Sequence, residues 1–336
     1  MQSNKINPKY ITDMASAFYD SCILFTASDL GVFTYLQNNP NQDIQHISKD
    51  LKIDTRGARL LLDGCVALQL LQKNNDTYNN TEISSIFLSE NSPADLSKAI
   101  RYNRDVYNAW GKLPQLIKSG KPVEKPEIHL GSDLNRTRTF VYSMHGRAMA
   151  IGKGLIPHLD YNNCSRLLDI GGGPGTYSIL IAKAYPRLKS IVLDLPEVVK
   201  VAQEIITDHN MDQQVSTLAG SYHEIEFPQN MDAINFFGML HQESPEDIKK
   251  LLSKAYTALK PGGKIYILDM MTDKTHTQPT FSALFAINMA LTTDNGWVFS
   301  DTEIKQWLSN ANFKNACTTK LPAPLPHWLI EAKKIN

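Results

Sequence analysis

Apolar residues in the first hundred positions recur at helical spacing, with turn-forming residues between the runs. One run from Ile11 to Leu36 passes through Phe18, Ile23, Phe25 and Leu30, then Gly31-Val32-Phe33, and stops at Asn38-Asn39-Pro40-Asn41. Ile44, Ile47 and Leu51 are spaced three and four apart, and after Asp54 the set Ala58, Leu61, Leu62, Cys65 and Leu68 repeats the period. Leu70-Leu71-Gln72, the polar tip Lys73 to Thr77 and then Tyr78 predict a small hairpin. Helix, turn, helix, hairpin is the outline of a winged helix.

From about Cys164 the pattern changes to alternating strand and helix, which predicts an α/β unit built on a doubly wound parallel sheet. Arg166 to Ile170 is a strand ending at glycines, and Thr176 to Tyr185 a helix closed by Pro186. Ser190 to Leu195 is the next strand, followed by a helix over Glu197 to Asn210. Val215 to Gly220 and Asp232 to Leu240 are further strands. Ser244-Pro245-Glu246-Asp247 is a strong helix start, and Ile248, Leu251, Leu252, Ala255 and Leu259 give its buried stripe until Pro261-Gly262-Gly263 stops it. Lys264 to Met270 is a strand, Ser300-x-x-Glu303 a capping box, and Ala316 to Lys320 with Trp328 to Ala332 two closing strands. The expected domains are 1–105 and 106–336, with 106–163 as a helical bridge.

Composition narrows the class. The 336 residues carry 34 basic and 34 acidic side chains, which gives no bulk attraction to nucleic acid or an acidic membrane. No stretch approaches 18 apolar residues, and no apolar leader follows Lys5, so a cytoplasmic location is the expectation. Cys22, Cys65, Cys164 and Cys317 form no Cys-x-x-Cys pair, so free thiols are expected and no metal site is. The sequons at Asn79 and Asn135 are what an asparagine-rich chain produces by chance.

The most informative segment is Leu167-Leu168-Asp169-Ile170-Gly171-Gly172-Gly173-Pro174-Gly175-Thr176, a strand that ends in an acid and runs through a glycine turn into a helix. Glycines let a ligand approach backbone, and the helix start beyond them offers free N–H groups, so a nucleotide-like ligand belongs there. A dinucleotide fingerprint counted from Gly171 meets Thr176 where Gly or Ala is required and fails by one residue. The spacing acid-x-Gly-x-Gly-x-Gly is met in full by Asp169, Gly171, Gly173 and Gly175. Asp194 ends the next strand, where a carboxylate either accepts both hydroxyls of a ribose or caps the following helix.

These residues, with Gly220-Ser221-Tyr222, Leu240-His241 and Leu259-Lys260-Pro261-Gly262-Gly263-Lys264, resemble the S-adenosylmethionine-dependent O-methyltransferases of the caffeic acid, acetylserotonin and polyketide-tailoring type. The likeness extends to Leu30-Gly31-Val32-Phe33, Arg59-Leu60-Leu61, the stretch from Trp110 to Gly120, and Phe140 with Met144. It implies a winged-helix dimerisation domain, a Rossmann-like seven-stranded catalytic domain, a homodimer and S-adenosylmethionine as cofactor. It also implies His241 as general base oriented by Asp269, and Leu195, Ser221, Tyr222 and Phe237 beside the glycines in the cofactor site. Aspartate replaces the usual glutamate at 269, Ser221 replaces an aspartate, and Val298 stands where the family has a second acid, so the histidine would depend on Asp269 alone. The stripe Phe281, Leu284, Phe285, Asn288 and Met289, with Trp297 and Met144, either belongs to the core or walls the pocket for an aromatic acceptor.

Two other classes compete with O-methylation of an aromatic or polyketide-like hydroxyl, and relatives lacking the full acid-base set methylate carbon or do not methylate. A DNA-binding regulator would use the winged helix, but residues 1–105 hold 10 basic against 12 acidic residues, and the would-be recognition helix offers only Arg56 and Arg59. A nicotinamide-dependent dehydrogenase is disfavoured by Thr176.

Overall fold

The computed structural model describes residues 7–90, 92–124 and 134–335. The first six residues, read above as part of a segment without an apolar leader, lie outside the described residues, as does 125–133 of the expected bridge. The chain divides into two compact units between Arg104 and Asp105.

In the first unit the apolar run from Ile11 to Leu36 forms three helices, Lys9–Ser16, Phe18–Asp29 and Val32–Asn38. Gly31 breaks the last two apart at φ +70°, a left-handed conformation that glycine adopts at no steric cost. Helices Ile44–Leu51 and Thr55–Ala67 follow, capped by Asp43 on the Gln45 and His46 N–H groups and by Asp54 on that of Gly57. Strands β1 (Gln42–Asp43), β2 (Leu71–Asn74) and β3 (Thr77–Asn80) form a small antiparallel sheet in the order β1-β3-β2, the wing. Phe33, Leu36, Ile47, Leu62, Leu71 and Tyr78 make the buried core of this unit. A cleft of about 300 Å³ in it, lined in part by Phe25, Asp29, Arg101 and Arg104, contains none of the expected cofactor residues.

The second unit is built on a seven-stranded sheet of β4 (Arg166–Ile170), β5 (Lys189–Asp194), β6 (Val215–Ala219), β7 (Met231–Phe237), β8 (Leu259–Asp269), β9 (Phe313–Lys320) and β10 (Trp328–Lys334). The order is β6-β5-β4-β7-β8-β10-β9; the first five are parallel and β10 runs antiparallel to both neighbours. Alternate residues part to the two faces: Leu168, Ile170, Ile234, Phe236, Ile265 and Ile267 join one core cluster, while Leu167, Ala233, Phe237, Tyr266 and Leu268 join another. Strand order reverses at β4, so the carboxyl ends of β4, β5 and β7 open onto a topological switch point where ligands bind in such sheets.

Three expected boundaries move, each for a local reason. The strand expected over Asp232 to Leu240 stops at Phe237, because Gly238 turns the chain at φ +69° and gives its N–H to the Leu268 carbonyl at 2.7 Å. Leu240–Gln242 then forms a short 3-10 turn, and His241 stands on it. Pro261-Gly262-Gly263 does not separate helix from strand: helix Pro245–Ala258 ends first, Leu259 already pairs with Met231, and the register shifts before Ala233 meets Lys264. The bridge contains helices Tyr107–Trp110, Leu113–Ser119 and Leu134–Leu155, the last packed on helices Thr176–Ala184 and Pro196–Asp208 of the sheet unit.

Candidate active site

The glycine turn is shaped from below and tied from the side. Gly171, Gly173 and Gly175 all have positive φ, at +62°, +54° and +70°. A Cβ at Gly172 would stand 2.9 Å from Val192 and 3.0 Å from the Asp169 carboxyl, whereas one at Gly173 would enter open space. Gly173 is therefore the point of the turn whose backbone stands open to its surroundings. Its N–H donates to Asp194 Oδ2 at 2.8 Å, and Leu195 N–H donates to Asp194 Oδ1 at 2.7 Å. The bland alternative for Asp194 fails, since helix Pro196–Asp208 has Leu195 at its N-cap and no side-chain cap bond. Burial raises the Asp194 carboxyl to about 6 against the pull of those two N–H donors.

Asp169 takes a different place from the one its spacing implied. It is fully buried on the face covered by helix Thr176–Ala184, and its Oδ2 accepts from Ser178 Oγ at 2.7 Å while Oδ1 has no partner. Ser178 also shares a 2.6 Å hydrogen bond with Ser190, so Asp169 braces the turn through a buried polar chain and does not line the opening. Burial, with the neighbouring Asp194 charge, raises its carboxyl to about 7 despite the Ser178 bond.

Beyond β6, Ser221 accepts the His223 N–H on its hydroxyl at 3.3 Å. Tyr222 donates its hydroxyl to Glu243 Oε1 at 2.6 Å, and His223 Nε2 lies 3.1 Å from Glu243 Oε2. Burial, then the Glu243 charge, drives the Tyr222 phenol far above its usual range, so it stays a hydrogen-bond donor. Phe237 is buried at the end of β7, its ring edge-on to Tyr177 at 5.3 Å.

A second histidine–carboxylate pair of the site is His241 and Asp269. His241 Nδ1 meets Asp269 Oδ1 at 2.7 Å, and the His241 backbone N–H donates to Asp269 Oδ2 at 3.2 Å. Met270 N–H also donates to Oδ1, at 2.8 Å. A carboxylate facing Nδ1 selects the tautomer with its proton there, which leaves the Nε2 lone pair outward. The His241 side chain is 15% exposed and its ring stands edge-on to Phe285 at 5.2 Å. Val298, in the place of the second family acid, is a buried apolar side chain.

Helix Thr280–Thr292 carries the stripe expected either in the core or along an acceptor pocket. Phe285, Asn288 and Met289 are buried, Phe281 and Leu284 point outward, and Trp110 Nε1 donates to Asn288 Oδ1 at 2.9 Å. Met144 is half-buried on helix Leu134–Leu155. Trp297 does something the stripe did not suggest: its backbone N–H donates to the His241 carbonyl at 2.8 Å and its Nε1 to the Glu243 carbonyl at 2.9 Å. With its ring against Phe299 and Trp307, it braces the histidine turn from behind. Glu243, Ser178 and Trp110 carry no local sequence signal for these partnerships, each of which joins side chains far apart in the chain or brought together by packing.

Comparison with known proteins points to one family, in which relatives are named for methylation of oxygen or of carbon. Residues 12–90 match the O-methyltransferase dimerisation domain and residues 127–314 the O-methyltransferase domain. The tetracenomycin polyketide synthesis 8-O-methyl transferase TcmO of Streptomyces glaucescens is 29% identical over 322 residues, covering 94% of each chain. The L-tyrosine C(3)-methyltransferase of Streptomyces lavendulae is 26% identical, covering 95% of this chain and 90% of that one. The crystal structure of human N-acetylserotonin methyltransferase in complex with SAM matches with a TM-score of 0.87 at 26% identity, covering all of both chains. With more than half of its length inside the matched catalytic domain, the chain belongs to the O-methyltransferase family.

Proposed function

We propose that the protein transfers a methyl group from S-adenosylmethionine to a hydroxyl of an aromatic or polyketide-like small molecule, with His241 as general base. The observation that carries this reading is the 2.7 Å contact of His241 with Asp269 at the carboxyl edge of the sheet, beside Phe285. Asp269 fixes the ring orientation and stabilises the imidazolium formed when His241 takes the hydroxyl proton. The bound cofactor supplies an electrophilic methyl on a sulfonium.

The residues present fit that cofactor. Gly173 leaves open the space a side chain would fill, the helix beyond Gly175 presents its amino terminus, and Asp194 at the end of β5, held by the Gly173 and Leu195 N–H groups, would accept ribose hydroxyls beside the apolar Leu195 side chain. Phe285 and Met289 would wall a flat acceptor, and holding it in line with the methyl supplies much of the rate.

The matched dimerisation domain and the apolar side chains exposed on the first helices, Tyr10, Ile11, Met14, Phe18 and Tyr19, support a homodimer. Light scattering across a dilution series should report twice 37.7 kDa; a monomer at all micromolar concentrations would reject it. No helix among the described residues is long and apolar enough to cross a membrane.

Calorimetric titration with S-adenosylhomocysteine, followed by transfer from carbon-13-labelled S-adenosylmethionine to a panel of hydroxyarenes, tests the reading. Binding and an oxygen-linked methyl signal are expected. A carbon-linked methyl would move the reaction to the chemistry named for the tyrosine relative, and absence of binding would end the reading.

A further inference from the structure

The base and its carboxylate leave a second histidine of the same sheet edge without a task. Trp328 pairs with Asp269 in the β8–β10 ladder, so His327 falls one step beyond the catalytic carboxylate. His327 is 6% exposed, and its Nδ1 is sealed from solvent with no hydrogen-bond partner. Burial and then the Arg147 charge depress it to about 3, with Asp269 and His241 also acting on it, so the ring is neutral at working pH. A buried imidazole left in this condition costs free energy, and such a cost is often a sign of a ligand.

Arg147 reaches the same place from the opposite layer. It lies on helix Leu134–Leu155, and its guanidinium stands 5.9 Å from the centre of the Phe285 ring, the ring that meets His241. Its charge also acts on Tyr177, as does that of Asp269, which sets Arg147 and the catalytic carboxylate around one locus. A permanent cation stacked on an aromatic wall, beside a neutral imidazole, suits a planar anion: guanidinium recognises a carboxylate by two parallel hydrogen bonds.

Resting on the methyl-transfer reading, we propose that Arg147 and His327 form a carboxylate-binding corner of the acceptor pocket, so that the preferred acceptors are aromatic hydroxy acids and not neutral phenols. The hydroxyl would face His241 while the acid group lies across Phe285 toward Arg147.

Titration calorimetry on protein saturated with S-adenosylhomocysteine tests this, with a hydroxynaphthoate and the naphthol lacking its carboxylate as probes. Wild type should bind the naphthoate at least about tenfold more tightly, the worth of one charge-assisted hydrogen bond. Arg147→Met should erase that preference, Arg147→Lys should restore part of it, and His327→Phe should reduce it, each with S-adenosylhomocysteine affinity retained. Equal affinities in wild type, no naphthoate binding at millimolar concentration, or a preference that survives both Arg147→Met and His327→Phe would overturn the proposal. The wild-type comparison decides even where a variant fails to fold. Loss of S-adenosylhomocysteine binding by wild type would instead bring down the methyl-transfer reading, and this one with it.

Discussion

Asp194 Oδ2 accepts the Gly173 N–H at 2.8 Å, joining the end of β5 to the one glycine of the turn whose missing side chain leaves open space. The carboxylate therefore sets the turn and, in the proposed reading, stands where the ribose would lie. Because burial raises this carboxyl to about 6, its ionised form is available above that pH and lost below it. S-adenosylhomocysteine should bind about tenfold more weakly at pH 5 than at pH 7, from competition by one proton. Asp194→Asn should bind weakly at both values and lose that slope; an equal slope in variant and wild type, measured by calorimetry, would assign the proton elsewhere.

Gly172 and Gly173 should fail in different ways. At Gly172 an added Cβ meets Val192 and Asp169 at about van der Waals overlap, so Gly172→Ala should lower the melting temperature. At Gly173 nothing lies in the way, but φ is +54°, so Gly173→Ala should cost roughly 1–2 kcal/mol of stability, and Gly173→Val should in addition block ligand approach. Thermal unfolding with and without S-adenosylhomocysteine separates the two: the ligand-induced shift should vanish for Gly173→Val while it persists for Gly172→Ala.

His241→Ala should slow transfer by about 10²- to 10⁴-fold while leaving cofactor affinity nearly intact. Asp269→Asn should fall between variant and wild type, because an amide can orient the ring but cannot stabilise the imidazolium. The deficit should shrink as pH approaches the acceptor's own ionisation, near 10 for an unperturbed phenol. Unchanged turnover in His241→Ala would remove the base.

Asp169 makes the folded protein sensitive to pH independently of any ligand. Its folded carboxyl titrates at about 7 and its unfolded one near 3.8, so the fold favours the protonated form. That contribution is complete below about pH 4 and is lost as pH rises through 7. Asp169→Asn cannot ionise, and its stability relative to wild type should therefore rise between pH 4.5 and pH 7.5, by an amount on the order of a few kcal/mol. Denaturant unfolding at the two values measures it; a constant difference would show that the buried carboxyl does not take up the proton.

What the sequence displayed was local chemistry. Ser300 and Glu303 form their capping box, Ser244 caps its helix on the Asp247 N–H, and the three spaced glycines all take positive φ. Each depends on residues within a turn of one another. Asp169 carried the right spacing but shares a face with Leu167 beneath a helix, and that burial depends on how helix and sheet dock. Tyr222 meets Glu243 through strand order, and Trp328, next to His327, meets Asp269 through ladder register, neither of which a linear pattern contains. His241 was found by its neighbours in the chain, while its seat on a turn came from one left-handed glycine, Gly238.

The bracing of His241 separates two kinds of inheritance. Its ring is held by Asp269 at a strand end, and its backbone by Trp297 and Asp269, whereas helix Thr280–Thr292 meets the ring through the edge-on side chain of Phe285. In the proposed mechanism, substitutions along that helix would reshape the space offered to an acceptor while His241 keeps its position. If the proposed base holds, a lineage built on this frame gains new acceptors by changing one helix and leaves its histidine untouched.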